Sequence, residues 1–126
     1  MTTGTVALVS VATLALVTAC GGNGGDSSPW SSTVAGLCTA ADQAGTGDTT
    51  DARRTFFDES HDALHRLAEE TSERDRAVAA ALLEAKEQVE AGLEAGSPTL
   101  AADLDTLVEA TRTAVRVGDD TVPPPC

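Results

Sequence analysis

The two histidines of the chain, His61 and His65, stand four residues apart in the segment Phe56-Phe57-Asp58-Glu59-Ser60-His61-Asp62-Ala63-Leu64-His65-Arg66-Leu67-Ala68-Glu69. On a helix, at about 100° per residue, side chains at i and i+4 project roughly 40° apart on one side. Two imidazoles so placed can chelate a divalent ion such as zinc or copper, with a carboxylate as third ligand. Asp58, one turn before His61, and Glu69, one turn after His65, supply that chemistry. With Phe56 at zero, the apolar positions cover about −20° to 120°, His61 lies near 140°, His65 near 180°, Asp58 near 200° and Glu69 near 220°. The histidines therefore sit at the border of the buried stripe, with the carboxylates just outside it. The alternative is a solvated helix flank, on which His and carboxylates pair weakly at i, i+3 and i, i+4. The chain is rich in acids, and Asp62 follows His61 where a metalloprotease helix carries Glu. The primary expectation is the flank with no cofactor; a zinc or copper site is the alternative.

No other group of residues assembles a reaction centre. Ser60-His61-Asp62 has the residue types of a catalytic triad, but consecutive helical residues point in different directions. Gly21 to Gly25 opens no helix after a strand, so it does not form a phosphate loop. Glu84, Glu87, Glu90 and Glu94 form an acidic run that reads as a solvated face. Arg53, Arg54, Arg66, Arg74 and Arg76 are expected to pair with surface acids, each pair worth well under about 1 kcal/mol. An enzyme is not expected. Acidic residues number 20 against 8 basic, a formal charge of −12. Phosphate neutralisation needs Lys and Arg, so nucleic acid is excluded as a partner. Trp30, Phe56 and Phe57 are too few aromatics for a base-stacking platform.

The elements that would carry these residues read as helices from residue 34 onward, with no period-two stretch long enough for a strand. Val34, Leu37, Cys38 and Ala41 mark a first helix over about 31–44, stopped by Gly45 and Gly47. Asp48-Thr49-Thr50 offers caps for a second, about 51–70, with Phe56, Ala63, Leu64, Leu67 and Ala68 inward. Ser72, with an acid at Asp75, offers the cap of a third. Val78, Leu82, Ala85, Val89 and Leu93 are its stripe, and Gly96 follows its end at about Ala95. Ser97-Pro98 starts a fourth helix with the stripe Leu100, Leu104, Leu107, Val108, Thr111 and Val115, ended by Gly118. Four amphipathic helices with short connections predict an all-α, up-and-down bundle. The main alternative merges the second and third helices into one long arm.

The chain starts differently. Residues 6–19 are apolar and no charge occurs before Asp26. This run is shorter than the roughly 20 residues that span a bilayer and fits a secretory h-region. Val17-Thr18-Ala19-Cys20-Gly21-Gly22 follows, and it resembles the bacterial lipoprotein signal. The resemblance implies cleavage before Cys20, lipidation of its sulfur and a new N-terminus there. Residues 1–19 are then a signal peptide without Lys or Arg in Met1 to Thr5. Residues 20–33 are the lipidated Cys and a Gly/Ser-rich tether, spanning about 20 Å, and residues 34–126 are the bundle. Beyond the signal, the Ala-, Asp- and Arg-rich, Lys-poor composition looks like that of small lipoproteins from high-GC Gram-positive bacteria.

With Cys20 assigned to lipid, Cys38 and Cys126 remain. An even remainder in an exported chain suggests a disulfide. Such a bond would close nearly the whole domain, worth about 4–5 kcal/mol by loop-closure entropy. The alternative is two free thiols. The expectations combine into a lipid-anchored protein on the extracytoplasmic face of the cell membrane. It would act as a non-enzymatic binding or accessory module for a protein of the envelope. The alternative function is divalent-metal binding or delivery through His61, His65, Asp58 and Glu69.

Overall fold

The computed structural model describes Met1 and residues 28–126. The proposed signal peptide, Cys20 and most of the tether lie outside the described residues. The described part is an all-helical bundle of four helices. Helix α1 is Ser31–Gly45. Helix α2 is continuous over 49–72 and has three parts: α-helical Thr49–Thr55, a π turn Phe56–Ser60 and α-helical His61–Ser72. Helix α3 is Arg76–Ala95 and α4 is Leu100–Gly118.

The boundaries have local causes. Gly47 takes φ 84° after α1, a conformation easy for glycine. The Asp48 carboxylate then accepts from the Asp51 N–H at 3.0 Å, capping α2. The cap of α3 is Asp75 and not Ser72: its carboxylate accepts from the N–H groups of Ala77 and Val78, both at 3.0 Å. Asp75 is extended (φ −147°, ψ 97°), so α2 and α3 do not merge into one arm. Gly96 closes α3 in the left-handed region at φ 63°. Helix α4 begins at Leu100, two residues later than Ser97-Pro98 suggests. The Ser97 hydroxyl accepts from the Thr99 N–H instead, closing a turn ahead of the helix.

Helix α4 packs against the other three, α1 and α3 flank it, and α2 closes the ring. The short connections make neighbours antiparallel. Leu37, Phe56, Leu64, Leu82, Val89, Leu104, Leu107 and Val115 are fully buried. Each such side chain contributes about 1.5–3 kcal/mol relative to exposure. All six positions of the α4 stripe are buried, as their spacing predicts. The fold also reaches back past residue 34: Ser28 and Trp30 are buried, and Trp30 joins the core at the start of α1.

The π turn explains how α2 faces the core along its whole length. Buried positions run 52, 55–56, 60, 63–64, 67–68 and 71. A straight helix of 3.6 residues per turn would drift off this set. The π turn takes up one extra residue and returns the second half to the phase of the first. Ser60 thereby points inward, 1% exposed, and its hydroxyl donates to the Thr33 carbonyl of α1 at 3.0 Å. Gly36 makes room: a Cβ there would stand 2.8 Å from Ser60 Oγ and 2.9 Å from Glu59 Cβ.

Residues 119–126 form a strap and not a fraying tail. Val122 packs on the core and Pro123 is buried. The Arg112 Nε–H donates to the Pro123 carbonyl at 2.8 Å while its Nη1 pairs with Glu109. Cys38 and Cys126 stand at bonding distance, with sulfurs 2.04 Å and Cα atoms 5.4 Å apart.

Gly36→Ala is expected to lower stability by about 1–3 kcal/mol, because an inserted methyl overpacks the α1–α2 contact and outweighs the helix-propensity gain. Gly45→Ala, whose Cβ would meet nothing within 4 Å, is expected to be neutral or stabilising. Urea denaturation of the two variants side by side measures the difference.

Candidate functional site

The candidate site lies where the π turn of α2 meets α3. Ser60 is turned into the core, so His61 emerges at the edge of the buried face with 24% of its side chain exposed. Its Nε2 is 2.9 Å from Glu90 Oε1 on α3, and its Nδ1 is 3.1 Å from Asp62 Oδ1. Around the ring stand Phe56 at 6.0 Å, Phe57 at 5.1 Å and His65 at 4.9 Å between centroids. Arg53 places its guanidinium carbon 5.4 Å from the centroid of Phe57, which is 39% exposed. The outer part of the cluster is thus aromatic and cationic, and the inner part ionic.

Lys86 is the inner anchor. It is the single lysine of the chain and only 4% exposed. An ammonium in such a place must be paired, since isolated buried charge is strongly disfavoured. Its Nζ donates to Glu90 Oε1 at 2.7 Å, so one carboxylate oxygen serves both Lys86 and His61. Partial burial pushes the Glu90 carboxyl up. The hydrogen bond and charge of Lys86, followed by those of His61, outweigh that and hold it below the ordinary carboxylate range.

The carboxylates around His61 are therefore Glu90 and Asp62. Asp58 and Glu69 make no ion pair with either histidine, and both are exposed. The π turn is the reason for Asp58: its wider winding changes the angle between Asp58 and His61 from that of a regular helix. Glu69 does share a shallow groove with His65, lined also by Ala68, Ser72, Ala79 and Leu83. Among the described residues, no group of three or more His, Cys, Asp or Glu is arranged to hold a metal ion.

The neighbours Ser60, His61 and Asp62 separate as expected in one respect and not in the other. Ser60 faces away, with its hydroxyl committed to Thr33. Asp62, exposed at 89% of its side chain, folds back to reach His61. Of the arginines expected to pair with acids, Arg54 pairs with Asp51, whereas Arg74 lays its guanidinium where a side chain on Gly118 would stand.

Lys86 and Glu90 are the members of the candidate site that periodicity misses. Glu90 is hidden within the acidic run, of which Glu84, Glu87 and Glu94 are the exposed members. The available signal is Lys86 itself, a lone cation between Leu82 and Val89 on the apolar stripe with an acid four residues on. Comparison of the chain with protein-family models, with curated proteins and with solved structures finds no match.

Glu90→Gln is expected to destabilise the fold by about 1–3 kcal/mol at neutral pH, since it leaves the Lys86 ammonium buried beside a neutral amide. The folded-state pKa of Glu90 is depressed, so its contribution is present above the unfolded value near 4.5 and is lost as pH falls through the folded one. Stability measured between neutral pH and the acid limb should fall more steeply in the parent than in Glu90→Gln.

Proposed function

We propose that this chain is an extracytoplasmic lipoprotein. Cys20 is its lipid anchor, and the helical domain is a non-enzymatic binding module of the cell envelope. The observation that carries the reading is Val17-Thr18-Ala19-Cys20 directly after a short apolar run. The pairing of Cys38 with Cys126 supports it, because protein disulfides persist in oxidising compartments. The engagement of Ser60 with Thr33 and of Lys86 with Glu90 supports a non-enzymatic role, since neither is free to act as a nucleophile.

On this reading the tether enters at one pole of the bundle. Pro29 and Trp30 stand there with Leu67, Arg74, Val115 and Gly118 around one cavity. The opposite pole, formed by the turns at 46–48 and 96–99, would face away from the membrane and toward an envelope partner. Expressed in a bacterial host, the full gene is expected to give a lipid-labelled product in the membrane fraction. Cys20→Ala is expected to abolish labelling and release the protein. Unchanged labelling and fractionation of Cys20→Ala would overturn the anchor.

A second reading, divalent-metal capture, draws on the contact of the His61 and His65 rings at 4.9 Å. A zinc or copper ion would take the two imidazoles and a carboxylate, competing with Glu90 for His61 Nε2. Binding should weaken as pH falls through the histidine range, because protonated imidazole does not ligate. Calorimetric titration of the parent beside the His61→Ala/His65→Ala double variant decides it, and matching isotherms at neutral pH reject it.

A further inference from the structure

We infer that the Cys38–Cys126 bond is a redox latch on a separable strap: its reduction releases residues 119–126 from α1 while the four helices remain folded. The hydrophobic core consists of residues of α1 to α4 together with Trp30, and the strap adds the partly buried Val122 and the fully buried Pro123. Pro124, Pro125 and Cys126 are exposed, and residues 119–126 contain no regular secondary structure. Beyond these contacts the strap is held by two hydrogen bonds, from the Asp119 N–H to the Val115 carbonyl at its root and from Arg112 Nε to the Pro123 carbonyl, and by the disulfide. A segment with few buried contacts opens locally at lower free energy than the core it lies on.

The bond is placed where exchange can reach it. Cys126 is exposed and Cys38 half-buried. Ser31, Val34 and Ala35 of α1 and the three prolines of the strap form an open apolar groove of about 350 Å³ around the two cysteines. The reductant is a dithiol. One of its thiolates attacks Cys126 Sγ, the Cys38–Cys126 bond breaks, and Cys38 leaves as a thiolate that takes up a proton. The second thiol attacks the reductant's own sulfur in the mixed disulfide and releases Cys126, which is protonated in turn. Two electrons pass to the protein and the dithiol becomes a disulfide. Reduction uncovers the apolar strip of α1 around Val34. This inference concerns only the described residues and does not rest on the lipid anchor.

The test uses the full chain carrying Cys20→Ser, so that one cysteine pair responds, with dithiothreitol as the dithiol. Four results are expected without denaturant. The bond is reduced to completion. NMR order parameters at Asp120, Thr121 and Val122 drop from about 0.85, the rigid-backbone value, to below about 0.6. The far-UV circular dichroism of the helices is retained, and an apolar fluorescent dye brightens several-fold on the uncovered strip. Cys126→Ser should reproduce the released state without reductant. A bond that yields only in denaturant, strap order parameters unchanged on reduction, or loss of helical dichroism in reduced protein or in Cys126→Ser would each overturn the latch. The last outcome would make the bond a staple of the whole bundle.

Discussion

Gly36 has no side chain, and the π turn of α2 occupies the space that one would fill. Much of the bundle follows from that approach. With the backbones this close, Ser60 reaches the Thr33 carbonyl and buries its hydroxyl satisfied. The extra residue in the turn then brings Ala63, Leu64, Leu67 and Ala68 onto the same face as Ala52 and Phe56. Without it, a helix of this length would carry one half of its apolar positions past the edge of the core.

The same turn sets the candidate site. By directing Ser60 inward it leaves the next residue, His61, at the α2–α3 seam, where Glu90 meets it. Glu90 is in turn the counter-ion that permits Lys86 to stand 4% exposed among apolar neighbours. An ion pair with one partner buried and the other half-buried is weak evidence of net stabilisation, since desolvation of the charges offsets much of their attraction. Its clearer effect is on register: only one alignment of α2 with α3 gives Lys86 and His61 the same carboxylate oxygen. The ion pair and the Gly36 contact thus fix two sides of α2 independently.

The other side of the molecule is organised covalently. Helix α1 is the shortest of the four and meets α2 mainly along the first half of α2, residues 49–60. The strap compensates by crossing from the end of α4 back to Cys38, with Arg112 holding Pro123 on the way. Loop and disulfide therefore cover the part of α1 that the remaining helices leave accessible. A small Ala- and Leu-rich core gains from such a closure, because a domain of about this size buries a modest share of its surface.

The number of helices and most of their ends were legible in the sequence, although the starts of α3 and α4 fall a few residues later than their apparent caps. The reason is that caps and stop signals act within a few residues of the backbone they satisfy. Asp48, Gly47 and Gly96 are instances, and the α4 stripe is the clearest. The pairing of Cys38 with Cys126 was legible from parity once Cys20 is set aside. The π turn was not, for a local reason: a uniform 100° wheel has no place for an extra residue, and it spreads the apolar positions of α2 over too wide an arc. The partners of His61 were not legible either. Spacing along one helix offers Asp58 and Glu69, whereas Glu90 comes from another helix, and the register between helices is set only when their cores interlock. Tertiary packing likewise drew Trp30 out of the apparent tether into the core and turned Lys86, a lone cation on an apolar stripe, into the buried half of an ion pair with Glu90.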